Sequence, residues 1–168
     1  MSVDERTERT ILVTGVAGFI GYHLTKRLLE SGARVLGMDN LNGYYDPKLK
    51  EDRLAELENF SSFTFVRGDI SDMGDVVPAF EKHRPHLVVN LAAQAGVRYS
   101  LVNPRAYMES NVLGFFNLLE AVRRFPAAHF LYASSSSVYG NQEKTPFAVG
   151  DPVDRPISLY AATKLCDE

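Results

Sequence analysis

A single cysteine, Cys166, excludes an internal disulfide and suits a reducing compartment, so a cytoplasmic protein is expected. On a helix, that thiol reads as packed or incidental rather than reactive. No apolar run approaches the ~20 residues of a membrane span, so no membrane partner is expected. Residues 1–9 are polar and acidic, without the apolar core of a signal peptide, and read as a short leader. A formal net charge of -3 leaves no basic footprint for nucleic acid. No Cys/His cluster has metal-ligand spacing, so no metal is expected, and His83 and His86 beside Pro85 need no functional role. Internal repeats and low-complexity tracts are absent too. What remains, 45% hydrophobic and 23% charged residues in a chain of 168, is ordinary globular composition with enough length for one real core, placed at residues 10–168.

Apolar runs alternate with helical patterns, which predicts βαβ units, a parallel sheet and an α/β fold of the doubly wound (Rossmann) kind. Strands are expected at residues 10–14, 34–39, 63–69, 87–92 and 129–134. A helix begins near Phe19, with Ile20, Leu24 and Leu28 as its apolar stripe, and stops at Ser31-Gly32. Charged residues 48–57 form a second helix with Leu49, Leu54 and Leu57 inward, and residues 73–83 a third. A long helix is expected over 105–124, with Pro104 placed at its start. After a Pro- and Gly-rich loop, Ser158 is a plausible N-cap for a last helix. Doubly wound sheets normally continue to a sixth strand, so the chain reads as the front half of a larger protein, truncated before its last strands and a small substrate domain.

Gly15, Gly18 and Gly21 follow a strand and open a helix, as a dinucleotide fingerprint does. Gly15 serves the turn, Gly18 the close approach of a pyrophosphate, and Gly21 the packing of helix on strand. The helix N-terminus offers free N–H groups and a positive dipole to the phosphates. The spacing is G-x-x-G-x-x-G, and a glycine-rich turn without a ligand is the alternative. Asp39 ends the second strand, where a carboxylate accepts ribose hydroxyls and repels a ribose phosphate, favouring NAD over NADP; a solvent-facing aspartate is the alternative. Asp69 and Ile70 after the third strand could flank an adenine, or Asp69 could simply cap a turn. Ser134 to Ser137 end the fifth strand on the sheet edge where ligands sit. Arg98 follows the fourth strand on that edge and could face a substrate phosphate or carboxylate. Four residues apart on a helix, Tyr160 and Lys164 share one face. A phenol held beside an ammonium gives up its proton more readily than one alone.

Fingerprint, Asp39, serine run and the Tyr160/Lys164 pair together resemble the extended short-chain dehydrogenase/reductase family. Within it the nucleotide-sugar epimerases are nearest, those acting on UDP-glucuronate above all. Residues 13–21, 39–46, 90–100, 133–140 and 158–164 carry the likeness, with Tyr44-Tyr45 and residues 94–100 pointing to the uronate epimerases. The resemblance implies Tyr160 as general base and Lys164 as its partner on the nicotinamide ribose. It implies Ser135, with Ser136 as second choice, as the catalytic hydroxyl contacting the sugar alongside Arg98 and Tyr160. NAD would be held by Gly15, Gly18, Phe19, Ile20, Gly21, Asp39, Asn40, Asp69, Ile70, Leu91, Ala92, Ala93, Gln94, Ser134, Tyr160 and Lys164, with Asn111 supporting the site. Dehydratases and decarboxylases of this family place acidic residues just after the catalytic Ser/Thr; here Ser136 and Ser137 stand there, which argues for epimerisation.

The function so implied is NAD-dependent epimerisation of a UDP-sugar at its fourth carbon, UDP-glucuronate to UDP-galacturonate, through a transient 4-keto sugar, in a homodimer. Another nucleotide-sugar epimerase, reductase or dehydratase is the alternative within the family. A truncated, non-catalytic NAD-binding module is the alternative outside it.

Overall fold

Each expected apolar run becomes a parallel strand in the structure, a computed structural model that describes residues 9–168; nearly all of the polar leader lies outside the described residues. The strands are β1 (Thr10–Thr14), β2 (Arg34–Asp39), β3 (Phe63–Arg67), β4 (Leu87–Asn90) and β5 (His129–Tyr132), in the order β3-β2-β1-β4-β5. Helices α1 (Phe19–Glu30), α2 (Pro47–Leu57) and α3 (Met73–His83) make the crossovers that parallel pairing requires. Residues 104–124 follow as one helix in three parts: α4 (Pro104–Tyr107), a π segment (Met108–Leu113) and α5 (Gly114–Arg124). The chain closes with α6 (Leu159–Leu165). This is the expected doubly wound sheet.

The period of two along each strand divides the core. Leu12, Leu36 and Val88 point to one face, packing with Val76 and Phe80 of α3 and Leu118 and Ala121 of α5. Val13 and Val35 point to the other, against Tyr22 and Leu29 of α1 and Leu54 and Leu57 of α2. The edge strand β5 is poorly covered, with Leu131 and Tyr132 exposed.

Four departures from the sequence reading have physical causes. β3, β4 and β5 stop two residues early, and at the end of β4 the backbone turns from the ladder to a side-chain partner. The Leu91 and Ala92 N–H groups both donate to Thr14 Oγ1, at 3.2 and 3.1 Å. Helix α1 buries its expected stripe only in part: Ile20 is exposed, Leu24 and Leu28 are half-buried, and the fully inward residues are Gly21, Tyr22, Thr25 and Leu29. Gly21 sets that phase, since its missing side chain is what lets α1 lie against Gly15 and Val16. In α2 the inward set is Lys50, Leu54 and Leu57, with Leu49 turned to solvent. The long helix carries a π turn at its centre, a widening that sites of function often use. Ser158 caps α6 as expected, accepting from the Ala161 N–H, and Asp46 and Asp72 likewise accept from a backbone N–H in the first turn of α2 and α3. Cys166 is exposed beyond α6, hence incidental rather than packed.

Candidate active site

Strand order reverses at β1, which has β2 on one side and β4 on the other, and the crevice at the carboxyl ends of these strands is where open α/β sheets take ligands. β1 leaves the sheet at Gly15, whose φ of 67° a residue with a side chain adopts only at a cost. A Cβ there would also lie 2.7 Å from the Ala92 nitrogen, so Gly15 permits the loops after β1 and β4 to touch. Thr14 fastens the same junction: its hydroxyl donates to Asn90 Oδ1 at 2.5 Å while accepting from the loop after β4. Gly18 is the N-cap of α1 and provides no side-chain cap, leaving the first-turn N–H groups of the helix to a ligand.

Asp39 is buried at the end of β2. Its Oδ2 accepts from the Ala17 N–H at 3.1 Å, its Oδ1 from the Leu41 N–H at 2.8 Å, and the Lys50 ammonium stands 3.5 Å from Oδ1. The carboxylate is thus fixed by the turn it faces. Beside it Asn40 donates to Asp69 Oδ2 at 2.8 Å, and Ser71 binds Asp69 Oδ1 through both hydroxyl and N–H. Burial alone would push the Asp69 carboxyl up, but those hydrogen bonds outweigh it and hold it below the usual range, ionised at neutral pH. Asp69 thus caps the turn at Ser71 and also accepts from Asn40. Ile70 is held in place by Asn117 of α5, which donates to its carbonyl at 2.9 Å.

These residues line one pocket together with Gly15, Gly18, Leu91, Ala92, Ala93 and Gln94. Gln94 is the informative member. It is 5% exposed, and its side-chain nitrogen is buried without a hydrogen-bond partner among the described residues. Its backbone N–H and carbonyl are both bound by Asn111, so it is a fixed part of the pocket wall. An adenine dinucleotide fits this lining: a glycine turn at a helix N-terminus for its phosphates, and acceptors for ribose hydroxyls.

The residues expected from the sequence to move the proton form a second cluster outside the pocket wall. Ser135 N-caps a 3-10 turn (Ser136–Tyr139), accepting from the Ser137 N–H at 3.2 Å, and α6 packs against that turn. Tyr160 is half-buried, its ring 6.1 Å from that of Tyr107. Burial pushes the Tyr107 phenol up, so it stays a donor and clamps the Ala95 and Gly96 carbonyls. The Lys164 ammonium does not take the Tyr160 phenol as its partner; it lies 2.9 Å from Asp167 Oδ2, with both groups buried. Burial raises the Asp167 carboxyl above its ordinary value, with the Lys164 contact only partly offsetting it. Ser134 binds Glu168.

Asn111, in the π segment, ties the two clusters. It accepts from the Gln94 N–H at 2.8 Å and donates to the Gln94 carbonyl at 3.1 Å and to Thr163 Oγ1 at 3.0 Å. Thr163 in turn donates to the Tyr160 carbonyl at 2.9 Å. Asn111→Ala is expected to lower stability by about 2–3 kcal/mol, because it strands several buried groups at once. Chemical denaturation of wild type and variant measures this directly.

Three sequence candidates stand apart. Phe19 and Ile20 are exposed at the start of α1 and do not line the pocket, and Arg98 is exposed on a 3-10 turn (Arg98–Leu101). Conversely, Asn42, Tyr45, Lys50 and Ser110 line the pocket without having been singled out for it. For Lys50 the signal was present: residues 50, 54 and 57 have the i, i+4, i+7 spacing of one helix face. Among the described residues there is no candidate metal cluster, and no helix is long and apolar enough to cross a membrane.

The family described as GDP-mannose 4,6 dehydratase matches residues 12–168. A probable UDP-glucuronate 4-epimerase of Rhizobium meliloti is 47% identical over 153 residues, covering 91% of this chain and 45% of that protein. UDP-glucuronate 4-epimerase 3 of Arabidopsis thaliana is 49% identical over 166 residues, covering 97% of this chain and 38% of that protein. Among solved structures, UDP-glucuronic acid 4-epimerase of Bacillus cereus, crystallised with UDP-glucuronic acid and NAD, aligns with a TM-score of 0.84 at 38% identity, over 94% of this chain and 49% of that one. The chain spans about half, or less, of the length of the curated relatives it matches.

Proposed function

The chain belongs to the GDP-mannose 4,6 dehydratase family, and from that membership we propose that it is the cofactor-binding part of an NAD-dependent UDP-sugar 4-epimerase whose substrate is UDP-glucuronate. The observation that carries epimerisation over the dehydration in the family's description is the hydroxyl-only stretch at the fifth strand's end. Ser135 is followed by Ser136 and Ser137, so the turn packed against α6 holds no carboxylate to help expel water from a sugar. The uronate assignment draws on the relatives named for that sugar.

NAD fits the pocket, and Gly15, Gly18, Asp39, Asn40, Asp69, Ile70, Leu91, Ala92, Ala93 and Gln94 would hold it there. Bound, it supplies reversible oxidation at the fourth carbon of the sugar. Tyr160 takes the proton of the 4-hydroxyl and returns it to the same oxygen after the sugar has turned its other face. The Ser135 hydroxyl shares that oxygen and steadies it during transfer. Lys164 lies one turn from Tyr160 on the same helix and would have to leave Asp167, which holds its ammonium in this structure, to serve the phenol or the cofactor's ribose. Asn111 holds Gln94 and α6 at a constant separation, so the cofactor wall and the proton-transfer helix stay aligned. Phe116 and Leu119 on the exposed side of α5 support a homodimer built on that helix.

The test is an assay of the full-length protein with UDP-glucuronate. Conversion to UDP-galacturonate, reaching the same mixture from either sugar and without net reduction of added NAD, is the expected outcome. Turnover of a neutral UDP-sugar alone would reassign the substrate. Release of a 4-keto-6-deoxy sugar would replace epimerisation with dehydration.

A further inference from the structure

Tyr44 lines the pocket from the loop after β2, but its hydroxyl reaches the opposite wall, donating to the Ala95 carbonyl in the loop after β4 at 3.2 Å. Its ring packs on that of Tyr99 in the same far loop, with 4.9 Å between centroids. Gly96, at a φ of 93°, lies so near that a Cβ on it would stand 3.1 Å from the Tyr44 oxygen. The rest of the loop is anchored on its own side: Asn42 accepts from Lys50, the Tyr45 hydroxyl from Arg53, and Asp46 caps α2. Residues 40–46 thus form a strap fastened to α2 at its root. Among the described residues, its hydrogen bond across to the loop after β4 is that of Tyr44.

The Ala95 carbonyl takes two phenols, and their burial decides which of them lets go. Tyr107 is fully buried and holds both Ala95, at 2.8 Å, and Gly96, so the loop after β4 stays fixed. Tyr44 is 44% exposed, and water replaces its bond at little cost. Where the strap leaves β2, Leu41 holds φ at 55°, a costly conformation for a residue with a side chain and one found in segments that switch. As closed here the pocket encloses about 110 Å³, against roughly 300–1,000 Å³ for ordinary ligand sites, so a dinucleotide enters only once the strap has lifted. We infer that Tyr44 is the latch of a gate over this pocket, setting how fast a dinucleotide passes in and out. This rests on the cofactor reading above. The latch joins two parts of the protein rather than protein to ligand, so it slows entry and exit alike. A side chain gripping the cofactor itself would slow exit only.

The experiment is stopped-flow binding to the full-length protein, stripped of any resident cofactor, for wild type, Tyr44→Phe and Tyr44→Ala. NADH is the fluorescent probe, and excess NAD displaces it to give the dissociation rate constant. In Tyr44→Phe both rate constants are expected to rise about two- to tenfold, as loss of one exchanged hydrogen bond requires, with their ratio nearly unchanged. Tyr44→Ala also loses the ring contact with Tyr99 and is expected to speed both further. Unliganded thermal melts check that the variants fold; loss of the fold in both would make Tyr44 a structural residue and overturn the gate. Rate constants that do not rise together, above all a faster exit with unaltered entry, overturn the gate and leave the cofactor reading intact. A wild type that binds neither NADH nor NAD overturns the cofactor reading and this inference with it.

Discussion

Tyr160→Phe is expected to reduce turnover of the full-length protein about a hundred- to ten-thousandfold, the range that a positioned general base contributes, while cofactor still binds. The substitution removes one hydroxyl and keeps the ring, so the contact with Tyr107 and the helix that carries both Tyr160 and Thr163 are preserved. The loss should fall on kcat more than on KM, because the phenol acts on a proton that moves only during reaction. Steady-state kinetics with UDP-glucuronate, beside a titration with NAD, checks both halves. Retained turnover would remove Tyr160 from the chemistry. Lost NAD binding would recast it as a residue of the cofactor wall.

Ser135 gives the complementary expectation. Its side chain already caps the 3-10 turn by accepting from Ser137, so its hydroxyl proton remains free to be shared. Ser135→Ala therefore combines a catalytic loss with a weakened turn, and is harder to interpret than Tyr160→Phe. That asymmetry makes the tyrosine the better first variant.

Much of this arrangement was legible in the sequence because it depends on local rules. The five strands follow from apolar runs, and their parallel pairing from the helices between them; their order is seen only in the structure. Asp39 and Asp69 could be found because a strand's end fixes which residues reach the sheet edge. What stayed hidden was decided by contacts distant in the chain. In helix α2 the spacing of Lys50, Leu54 and Leu57 marks the inward face, but the partners that receive the ammonium, Asn42, Tyr45 and Asp39, are supplied by the fold. The Lys164–Asp167 pair escaped for a different reason. Spacing of three and of four residues both place side chains on one helix face, and only packing chooses between Asp167 and Tyr160 as the lysine's neighbour. The π turn at Met108–Leu113 is invisible to a search for ordinary helical period, although the hydrogen bonds of Asn111 depend on it.

The three glycines of the turn after β1 separate stability from binding, and Gly21→Ala is expected to damage the fold. A Cβ at Gly21 would collide with the Gly15 carbonyl oxygen and lie 2.8 Å from its carbon and 3.0 Å from Val16 Cα, all backbone atoms that cannot swing aside. Helix propensity pulls the other way, since alanine is favoured over glycine in a helix interior by about 1 kcal/mol. The collision wins, because α1 must move off the sheet to relieve it, and forced overpacking against fixed atoms costs up to about 3 kcal/mol or more. The net expectation is a loss of about 2 kcal/mol, read as a lower urea midpoint with an unchanged slope. Gly43→Ala is the control: a Cβ there meets nothing within 4 Å, so its effect should stay within about 0.5 kcal/mol. Gly18→Ala divides the two properties. Its Cβ meets only the Gly15 carbonyl oxygen, at 3.0 Å, on the pocket side of the turn, so most of its cost should fall on dinucleotide affinity rather than on the urea midpoint. If Gly18→Ala instead unfolds the protein and leaves NAD affinity alone, the turn is a packing device, and the approach of a pyrophosphate to Gly18 is wrong.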